Sequence, residues 1–343
     1  MRRVTLLTNP DVCNLHCPLC FLNQRALRNC NARSAENGNG DCPPDNGRER
    51  RAFGMGEMPF EVAQAAIEKY ALERDASGKR LLREVIPSTM GEPLLYSHFD
   101  ELLELCRALG IPMNLTTNGT FPGKWGRDAA MELLLRSCSD IKVSYLASEQ
   151  FDGWKANVEK LVWVRDKLRG NADCAKVDCV GNAGAEADCA RTADVECADA
   201  RVVSFTSVEP RVATVSLQVT LHKKNLQDVP ELVSWASAIG VDRIKWNKVV
   251  LLSTVSQELR EMYALNDAQL ESLRDEFRSG EFSASNVKHE GSLFFKNSAD
   301  LCAVGGKCES CPFADEVWVW PDGHEDHCPN PERRFVAYCL RSS

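Results

Sequence analysis

The chain has 343 residues, which is enough to bury a large core in one or two domains. Its 41 basic and 49 acidic residues give a formal charge of −8, so the sequence offers no general electrostatic attraction for nucleic acid. The N-terminal apolar run is too short for a signal peptide, and no run reaches the roughly 18 apolar residues of a membrane span, so we expect a cytoplasmic protein without a membrane partner.

Strand-like and helix-like segments alternate along the first two thirds of the chain. Apolar runs predict strands at VTLLTN near the N-terminus and at 83–89, 111–117, 140–146, 212–222 and 241–250. Apolar residues at helical spacing predict helices at about 59–74, 98–110, 126–138 and 150–169, and one that ends at Gly240. This alternation predicts an α/β fold with a parallel sheet and right-handed crossovers, arranged as an open or partial (β/α)6 barrel of the TIM-like kind.

Two of the predicted strands carry a polar face opposite an apolar face. The polar faces consist of Lys142 and Ser144 in one strand and of Ser216, Gln218, Thr220 and His222 in the other. A barrel strand whose apolar face packs on helices turns its polar face inward, where polar groups are costly unless they contact water or a ligand. We therefore expect a ligand-binding interior with Lys142, Lys245 and Trp246 near the substrate. A solvent-facing edge strand is the alternative.

The sequence contains 16 cysteines, which is many for a chain without a secretion signal. Metal ligation is therefore a better interpretation than a disulfide framework. Cys106 and Cys138 are exceptions, because they lie on apolar helical faces and are expected to be plain core residues. Two segments rich in small and polar residues, 28–53 and 170–206, are predicted to be disordered or loosely ordered insertions whose cysteines bind no metal.

Cys13, Cys17 and Cys20 follow the first predicted strand at spacings of four and three residues. A structural zinc site normally takes four protein ligands, and this motif supplies three. A [4Fe–4S] cluster held by three thiolates leaves one iron open to an outside ligand. The spacing also allows a tight loop to wrap one cluster. The motif therefore favours an iron–sulfur cluster with a reactive iron.

This motif in the first βα loop, followed by a β/α series, resembles the radical S-adenosylmethionine (radical SAM) superfamily. The resemblance implies a barrel of the radical SAM type and a [4Fe–4S] cluster on Cys13, Cys17 and Cys20 whose open iron binds SAM. It implies reductive cleavage of SAM to a 5′-deoxyadenosyl radical, which abstracts a hydrogen atom from the substrate. It also implies a low-potential electron donor of the flavodoxin or ferredoxin type as a partner.

A second motif supports this resemblance. STMGEPLL, at 88–95, resembles the Gly-Gly-Glu-Pro turn of the superfamily, with Met90 at the first glycine. By resemblance, Gly91, Glu92 and Pro93 meet the methionyl amino group of SAM. An ammonium group favours carboxylate or carbonyl oxygens, and a glycine lets the backbone approach closely.

Further SAM contacts are expected by resemblance. LTTNGT ends the third predicted strand and would turn Thr117 and Asn118 toward the site. The superfamily usually carries an aromatic residue just before the third cysteine, near the adenine; a leucine stands there in this chain, and Phe21 is the candidate in its place. Ser144 and Gln218 match by strand position and are candidates for contacts with the SAM carboxylate and ribose.

A second group of cysteines lies near the C-terminus and consists of Cys302, Cys308, Cys311 and Cys328. EVWVWPDGHEDHC predicts a β-hairpin that turns at Asp322 and Gly323. The segment resembles the SPASM or twitch domain of radical SAM enzymes, which implies an auxiliary [4Fe–4S] cluster. The predicted divisions are a core at 1–255, a helical linker at 256–297 and an auxiliary domain at 298–343. A zinc knuckle on the same cysteines is the alternative.

These motifs together predict a radical SAM enzyme with an auxiliary cluster. A peptide or protein side chain is the first expectation for the substrate, because many SPASM or twitch proteins modify such groups. The sequence begins on the first strand, so we expect no leader-binding domain before it, which weakens this expectation. The alternatives are a small-molecule cyclase or dehydrogenase, an RNA-modifying enzyme, which the acidic balance disfavours, and a non-catalytic zinc-binding protein.

Overall fold

The computed structural model describes residues 2–17, 19–20, 56–87, 90–145, 153–177, 212–253, 255–280, 282, 286–294 and 315–327, with 171–177 as backbone. Several predicted features lie outside the described residues: Phe21, the insertion 28–53, residues 178–206 of the second insertion, and the cysteines Cys302, Cys308, Cys311 and Cys328.

In the described part of the chain, nine strands form one sheet. They are β1 (Arg2–Leu6), β2 (Leu82–Pro87), β3 (Met113–Thr117), β4 (Cys138–Tyr145), β5 (Thr214–Leu221), β6 (Arg243–Lys248), β7 (Lys288–Glu290), β8 (Glu316–Val319) and β9 (Glu325–Asp326). Their order is β7-β6-β5-β4-β3-β2-β1-β8-β9. Every neighbouring pair is parallel except β8 and β9, which form an antiparallel hairpin.

The α-helices of the described residues are α1 (Phe60–Ala71), α2 (Phe99–Ala108), α3 (Asp128–Ser137), α4 (Trp154–Val177), α5 (Val229–Ile239), α6 (Gln257–Tyr263) and α7 (Asp267–Ser279). One helix separates each pair of consecutive strands from β1 to β6, so the predicted α/β fold with a parallel sheet is confirmed. Residues 170–177 continue α4, although they were predicted to start a loose insertion. No helix of these residues is long and apolar enough to cross a membrane.

The hydrophobic core lies between the helices and one face of the sheet. On α2, Phe99, Leu102, Leu103 and Cys106 are buried at helical spacing and pack into this core. Cys138 is buried in the same cluster, so both cysteines are core residues as predicted, but Cys138 begins β4 and does not lie on a helical face. Complete burial of one such apolar side chain stabilises the fold by about 1.5–3 kcal/mol. Because the helices and strands pack against each other through many such side chains, the ends of the strands are held in place.

The other face of the sheet carries a belt of polar side chains, which we call the inner belt: Thr5, Glu84, Asn114, Asp140, Lys142, Ser216 and Lys245. Asn114 links two members of the inner belt: its Oδ1 accepts from Lys142 Nζ at 2.5 Å, and its Nδ2 donates to Glu84 Oε2 at 3.1 Å. Along β4 and β5 these residues alternate with fully buried apolar residues, as the sequence predicts. Ser144 and Gln218 follow the belt toward the carboxyl ends of the strands and are partly exposed.

Trp246 lies on the helix side of β6 and not with the inner belt. Its side chain is fully buried, and its ring centroid lies 5.4 Å from that of Phe277 and 6.1 Å from that of His289. Successive residues of a strand point to opposite faces, so Trp246 and its neighbour Lys245 cannot share one. The expectation that Trp246 lies near the substrate is therefore wrong.

The predicted C-terminal hairpin is present and extends the core sheet beyond β1. Glu316 to Val319 pair in parallel with Arg3 to Leu6, and Thr5 Oγ1 donates to Glu316 Oε1 at 3.0 Å. A second hydrophobic cluster, which we call the tryptophan cluster, consists of Leu7, Met90, Leu252, Val255, Trp318 and Trp320. It brings the residues that follow β6 into contact with the hairpin beside β1, so side chains connect the two ends of the six-strand core.

Candidate functional site

The loop after β1 holds Cys13, Cys17 and Cys20, each of them partly buried. The loop begins with a turn in which the backbone N–H of Val12 donates to Asn9 O at 3.1 Å. A second turn follows between the last two cysteines, where Cys20 N donates to Cys17 O at 3.0 Å. These turns place the three thiols of the predicted motif in one loop at the carboxyl end of β1.

Burial raises the pKa values of two of the three thiols. Burial raises the pKa of Cys13. Burial, followed by the charges of Cys20 and Cys13, raises the pKa of Cys17 to about 12. As free thiols, Cys13 and Cys17 would therefore be protonated at neutral pH, and a bound metal would have to displace their protons. Among the described residues, no group of three His, Cys, Asp or Glu side chains is arranged to hold a metal ion.

The Gly-Glu-Pro turn after β2 is docked directly on the cysteine loop. The backbone N–H of Glu92 donates to Val12 O at 2.8 Å, and Asn9 Nδ2 donates to Glu92 O at 2.6 Å. Gly91 has a φ of 74°, and a Cβ on it would lie 2.2 Å from Asn9 O and 2.5 Å from Val12 O. Only glycine fits there, so the two motifs predicted to bind one cofactor are in contact.

The carboxylate of Glu92 is buried and bound by protein donors. Oε1 accepts from Thr117 Oγ1 at 2.8 Å and from the N–H of Leu94 at 3.2 Å, and Oε2 accepts from the N–H of Asn118 at 2.7 Å. Burial raises the pKa of Glu92 to about 7, although all three bonds lower it. The carboxylate thus ties the turn to the end of β3. Pro93 is buried at the start of the short 3-10 helix Pro93–Leu95 that follows.

The end of β3 contacts the cysteine loop through Asn118. Its Nδ2 lies 3.6 Å from Cys13 Sγ and 2.8 Å from Asn14 Oδ1. Its Oδ1 accepts from the backbone N–H of Thr120 at 2.9 Å and from the hydroxyl of the same residue at 2.7 Å. The structure therefore brings Thr117 and Asn118 together with the Gly-Glu-Pro turn and the first cysteine.

Ser144 and Gln218 face each other across β4 and β5. Both are partly exposed, and both lie two residues beyond members of the inner belt, toward the carboxyl ends of their strands. Their hydroxyl and amide groups can donate and accept hydrogen bonds in the interior. The Trp154 indole Nε1 donates to Ser144 O at 3.1 Å, which fixes the backbone there.

Asn9 is the residue of this site that the sequence analysis missed. Its backbone and side chain meet Gly91 and Glu92, and Thr8 Oγ1 donates to Asn9 Oδ1 at 2.9 Å. The dipeptide Asn9-Pro10 is a turn signal directly before the cysteines and could have drawn attention to this position. Its contact with a turn more than 80 residues away in the chain has no local signal.

No protein-family model matches the chain, and no curated protein does. Solved structures do match. Native anSMEcpe with bound AdoMet gives a TM-score of 0.56 at 14% identity over 95% of this chain and 74% of that one. SuiB of Streptococcus suis bound to S-adenosylmethionine gives 0.52 at 14% identity over 95% and 60%. SuiB bound to the precursor peptide SuiA gives 0.54 at 13% identity over 97% and 60%.

Two of these structures hold S-adenosylmethionine, and one holds a precursor peptide. At 13% to 14% identity, the likeness shows the fold alone: the chain shares the partial TIM-type α/β fold of these structures, as the alternation of its predicted strands and helices indicates. The chain spans 60% of the length of SuiB.

Proposed function

We propose that this protein is a radical SAM enzyme with a [4Fe–4S] cluster on Cys13, Cys17 and Cys20, and that it acts on a peptide or protein side chain. The observation that carries the proposal is the contact at Gly91, which holds the cysteine loop and the Gly-Glu-Pro turn as one unit beside the ends of β1 and β2. When bound, the cluster supplies the electron that cleaves SAM and yields the 5′-deoxyadenosyl radical.

The three thiols suit a cluster of this kind. They come from one loop, they are only partly exposed, and Cys13 and Cys20 are close enough to Cys17 to raise its pKa. In a [4Fe–4S] cluster each thiolate binds a different iron, so the sulfurs need not converge on a single ion. Their number leaves one iron for SAM.

The turn residues would hold the methionyl amino group in a particular way. The Glu92 side chain is fully buried and its carboxylate already binds three protein donors, so it is poorly placed to bind an ammonium group. We propose that backbone carbonyls of the turn accept from the ammonium, while Glu92 and Thr117 keep the turn in place and Pro93 fixes its exit. Ser144 and Gln218 would bind the SAM carboxylate and ribose from the inner face. The role of Phe21 beside the adenine stays a prediction.

A peptide substrate is favoured by two observations. The matching structures include SuiB bound to a precursor peptide and anSMEcpe bound to AdoMet and a peptide. The inner face of the sheet also carries Lys142, and burial lowers the pKa of this lysine to about 8. The polar groups beside it would bind peptide carbonyls and amides. We propose that an auxiliary [4Fe–4S] cluster binds Cys302, Cys308, Cys311 and Cys328, and that a cytoplasmic flavodoxin or ferredoxin supplies electrons.

The proposal is tested by SAM cleavage. The protein is reconstituted anaerobically with iron and sulfide, mixed with dithionite and SAM, and assayed for 5′-deoxyadenosine. We expect product from the wild type and none from the triple variant in which Cys13, Cys17 and Cys20 are alanine. Cys106→Ala is the matched control, because it removes a core cysteine outside the loop and should keep the activity. An iron-loaded wild type without product would overturn the proposal.

The substrate class is tested by isotope transfer. Deuterated peptides and deuterated small molecules are supplied separately, and deuterium is measured in the 5′-deoxyadenosine. Transfer from peptides alone supports a peptide substrate, and transfer from small molecules alone supports a cyclase or dehydrogenase. A steep salt dependence of RNA binding would revive the RNA-modifying alternative. Colourless protein with stoichiometric zinc would favour a structural zinc protein.

A further inference from the structure

The orientation of the Asn118 carboxamide is fixed by its neighbours. Its Oδ1 accepts from the backbone N–H of Thr120 at 2.9 Å. A backbone N–H can only donate, so the oxygen of the amide must face Thr120 and the NH2 group must face the other way. The hydroxyl of Thr120 donates to the same oxygen at 2.7 Å. The assignment of oxygen and nitrogen in this side chain therefore follows from chemistry.

The NH2 group of Asn118 points at the cysteine loop. Its two hydrogens have two acceptors, Cys13 Sγ at 3.6 Å and Asn14 Oδ1 at 2.8 Å. The backbone of Asn118 is held as well, because its N–H donates to the buried carboxylate of Glu92 at 2.7 Å. A side chain held at its backbone and at both ends of its amide is preorganised, so it offers its hydrogen to the sulfur without further ordering.

We infer that Asn118 is a positioning residue that donates a hydrogen bond to the Cys13 thiolate and raises the reduction potential of the bound cluster. This inference rests on the proposed function. Reduction adds one electron to the cluster from the external low-potential donor and breaks no bond. A donor to a ligand sulfur stabilises the added negative charge, which makes the reduced state easier to reach.

A purely structural role must be separated from this one. Asn118 also forms a turn through Thr120, and that turn alone would explain an asparagine at this position. Asn118→Ser keeps an oxygen for the Thr120 N–H, but its side chain is too short to reach Cys13. Asn118→Asp keeps the turn acceptor and the length, but replaces the NH2 donor with a negative oxygen.

The midpoint potential of the cluster in the reconstituted full chain is measured by potentiometric titration followed by electron paramagnetic resonance. The signal of this cluster is identified by its absence from the triple alanine variant of Cys13, Cys17 and Cys20. For Asn118→Ser we expect about a threefold fall in the ratio of reduced to oxidised cluster at a fixed potential, which is a shift of about 28 mV to more negative values for a one-electron couple. Asn118→Asp should shift further in the same direction.

Asn157→Ala is the matched control. Asn157 Nδ2 donates to Gly119 O at 2.9 Å, in the same turn, and it leaves the Asn118–Cys13 contact intact. This variant should keep the wild-type potential. An unchanged potential in Asn118→Ser overturns the inference and leaves the proposed function standing. If Asn118→Ser does not fold, the midpoint potential of Asn118→Asp is compared with that of the wild type instead, and an unchanged potential there overturns the inference. A wild type that binds no cluster overturns both.

Discussion

Asn9 and Gly91 approach each other so closely that a Cβ on Gly91 would lie 2.2 Å from the backbone oxygen of Asn9. This contact joins the segment that leads into the cysteine loop to the turn after β2. Asn9 strengthens it by donating from Nδ2 to Glu92 O at 2.6 Å. The two motifs therefore cannot separate without breaking a buried hydrogen bond, and they cannot accommodate a methyl group between them.

The first prediction concerns Gly91→Ala. The new methyl group would collide with two backbone oxygens, and the residue would also have to keep a positive φ. We expect a loss of more than about 2 kcal/mol in the free energy of unfolding, together with loss of most SAM cleavage. Urea unfolding and the 5′-deoxyadenosine assay measure the two effects.

Gly78→Ala is the control for this prediction. Gly78 has a φ of 81°, and a Cβ added to it would meet no atom within 4 Å. The variant is therefore destabilised by its backbone conformation alone, without a collision. We expect it to lose about 1–2 kcal/mol and to keep its activity. Equal losses of stability and activity in both variants would contradict a specific role for the contact at Gly91.

The second prediction concerns the pH dependence of Glu92. Burial raises the pKa of this carboxyl from 4.5 to about 7, so between these values the folded state binds more protons than the unfolded state. The free energy of unfolding therefore falls as the pH rises through that window, by up to about 3 kcal/mol. Glu92→Gln cannot ionise and should lack this fall.

Urea unfolding of the wild type and of Glu92→Gln at pH 5 and pH 8 measures the effect. The difference between the two proteins cancels the contribution of the other titrating groups. We expect the destabilisation caused by the substitution to be smaller at pH 8 than at pH 5. A difference that stays constant across this range would show that the carboxyl titrates alike in both states.

The third prediction concerns Trp320, which is fully buried in the tryptophan cluster with Met90. Trp320→Ala should cost about 3–5 kcal/mol of unfolding free energy, because it leaves a cavity. It should also weaken SAM binding, since Met90 precedes the docked glycine. Trp163→Ala, on the exposed side of α4, is the control: Trp163 is 55% exposed, and its loss should cost less than about 0.5 kcal/mol. Wild-type stability of Trp320→Ala would contradict the packing described.

The fourth prediction concerns Lys142 and has the opposite pH dependence. Burial, followed by the charge of Lys245, lowers the pKa of Lys142 from 10.5 to about 8, while Asp140 and Glu84 act against this. Between these values the unfolded state binds more protons, so the wild type gains stability as the pH rises. Lys142→Met should lack this gain, which amounts to up to about 3 kcal/mol. Urea unfolding of both proteins at pH 8 and pH 10 measures the effect. A change in unfolding free energy between the two pH values that is the same in the wild type and in Lys142→Met would contradict the prediction.

The sequence predicts the features of this protein that are local in the chain. The strands and helices follow from periodicity, and the spacings of Cys13, Cys17 and Cys20 predict a shared loop. The sites of Gly91 and Asn118 also follow from short motifs. Grouping Trp246 with Lys245 is wrong because successive strand residues point to opposite faces of the sheet.

The features that could not be predicted depend on partners far apart in the chain. The orientation of the Glu92 carboxylate is set by Thr117, which ends β3, and by the N–H of Asn118 just after it, and no local pattern reveals these partners. The contact of Asn118 with Cys13 depends on two loops meeting in space. The hairpin was predicted from its turn, but its parallel pairing with β1 was not, because parallel partners need no short connection.

That pairing bears on how the chain is made. Residue 3 aligns with residue 316, so the outer edge of β1 finds its partner only after the ribosome has added more than 300 residues. Until then the strand that leads into the cysteine loop exposes a row of unpaired backbone groups, which invites pairing with other chains. The segment that leads into the three cysteines therefore gains this support only once residue 316 has been synthesised, long after its own residues.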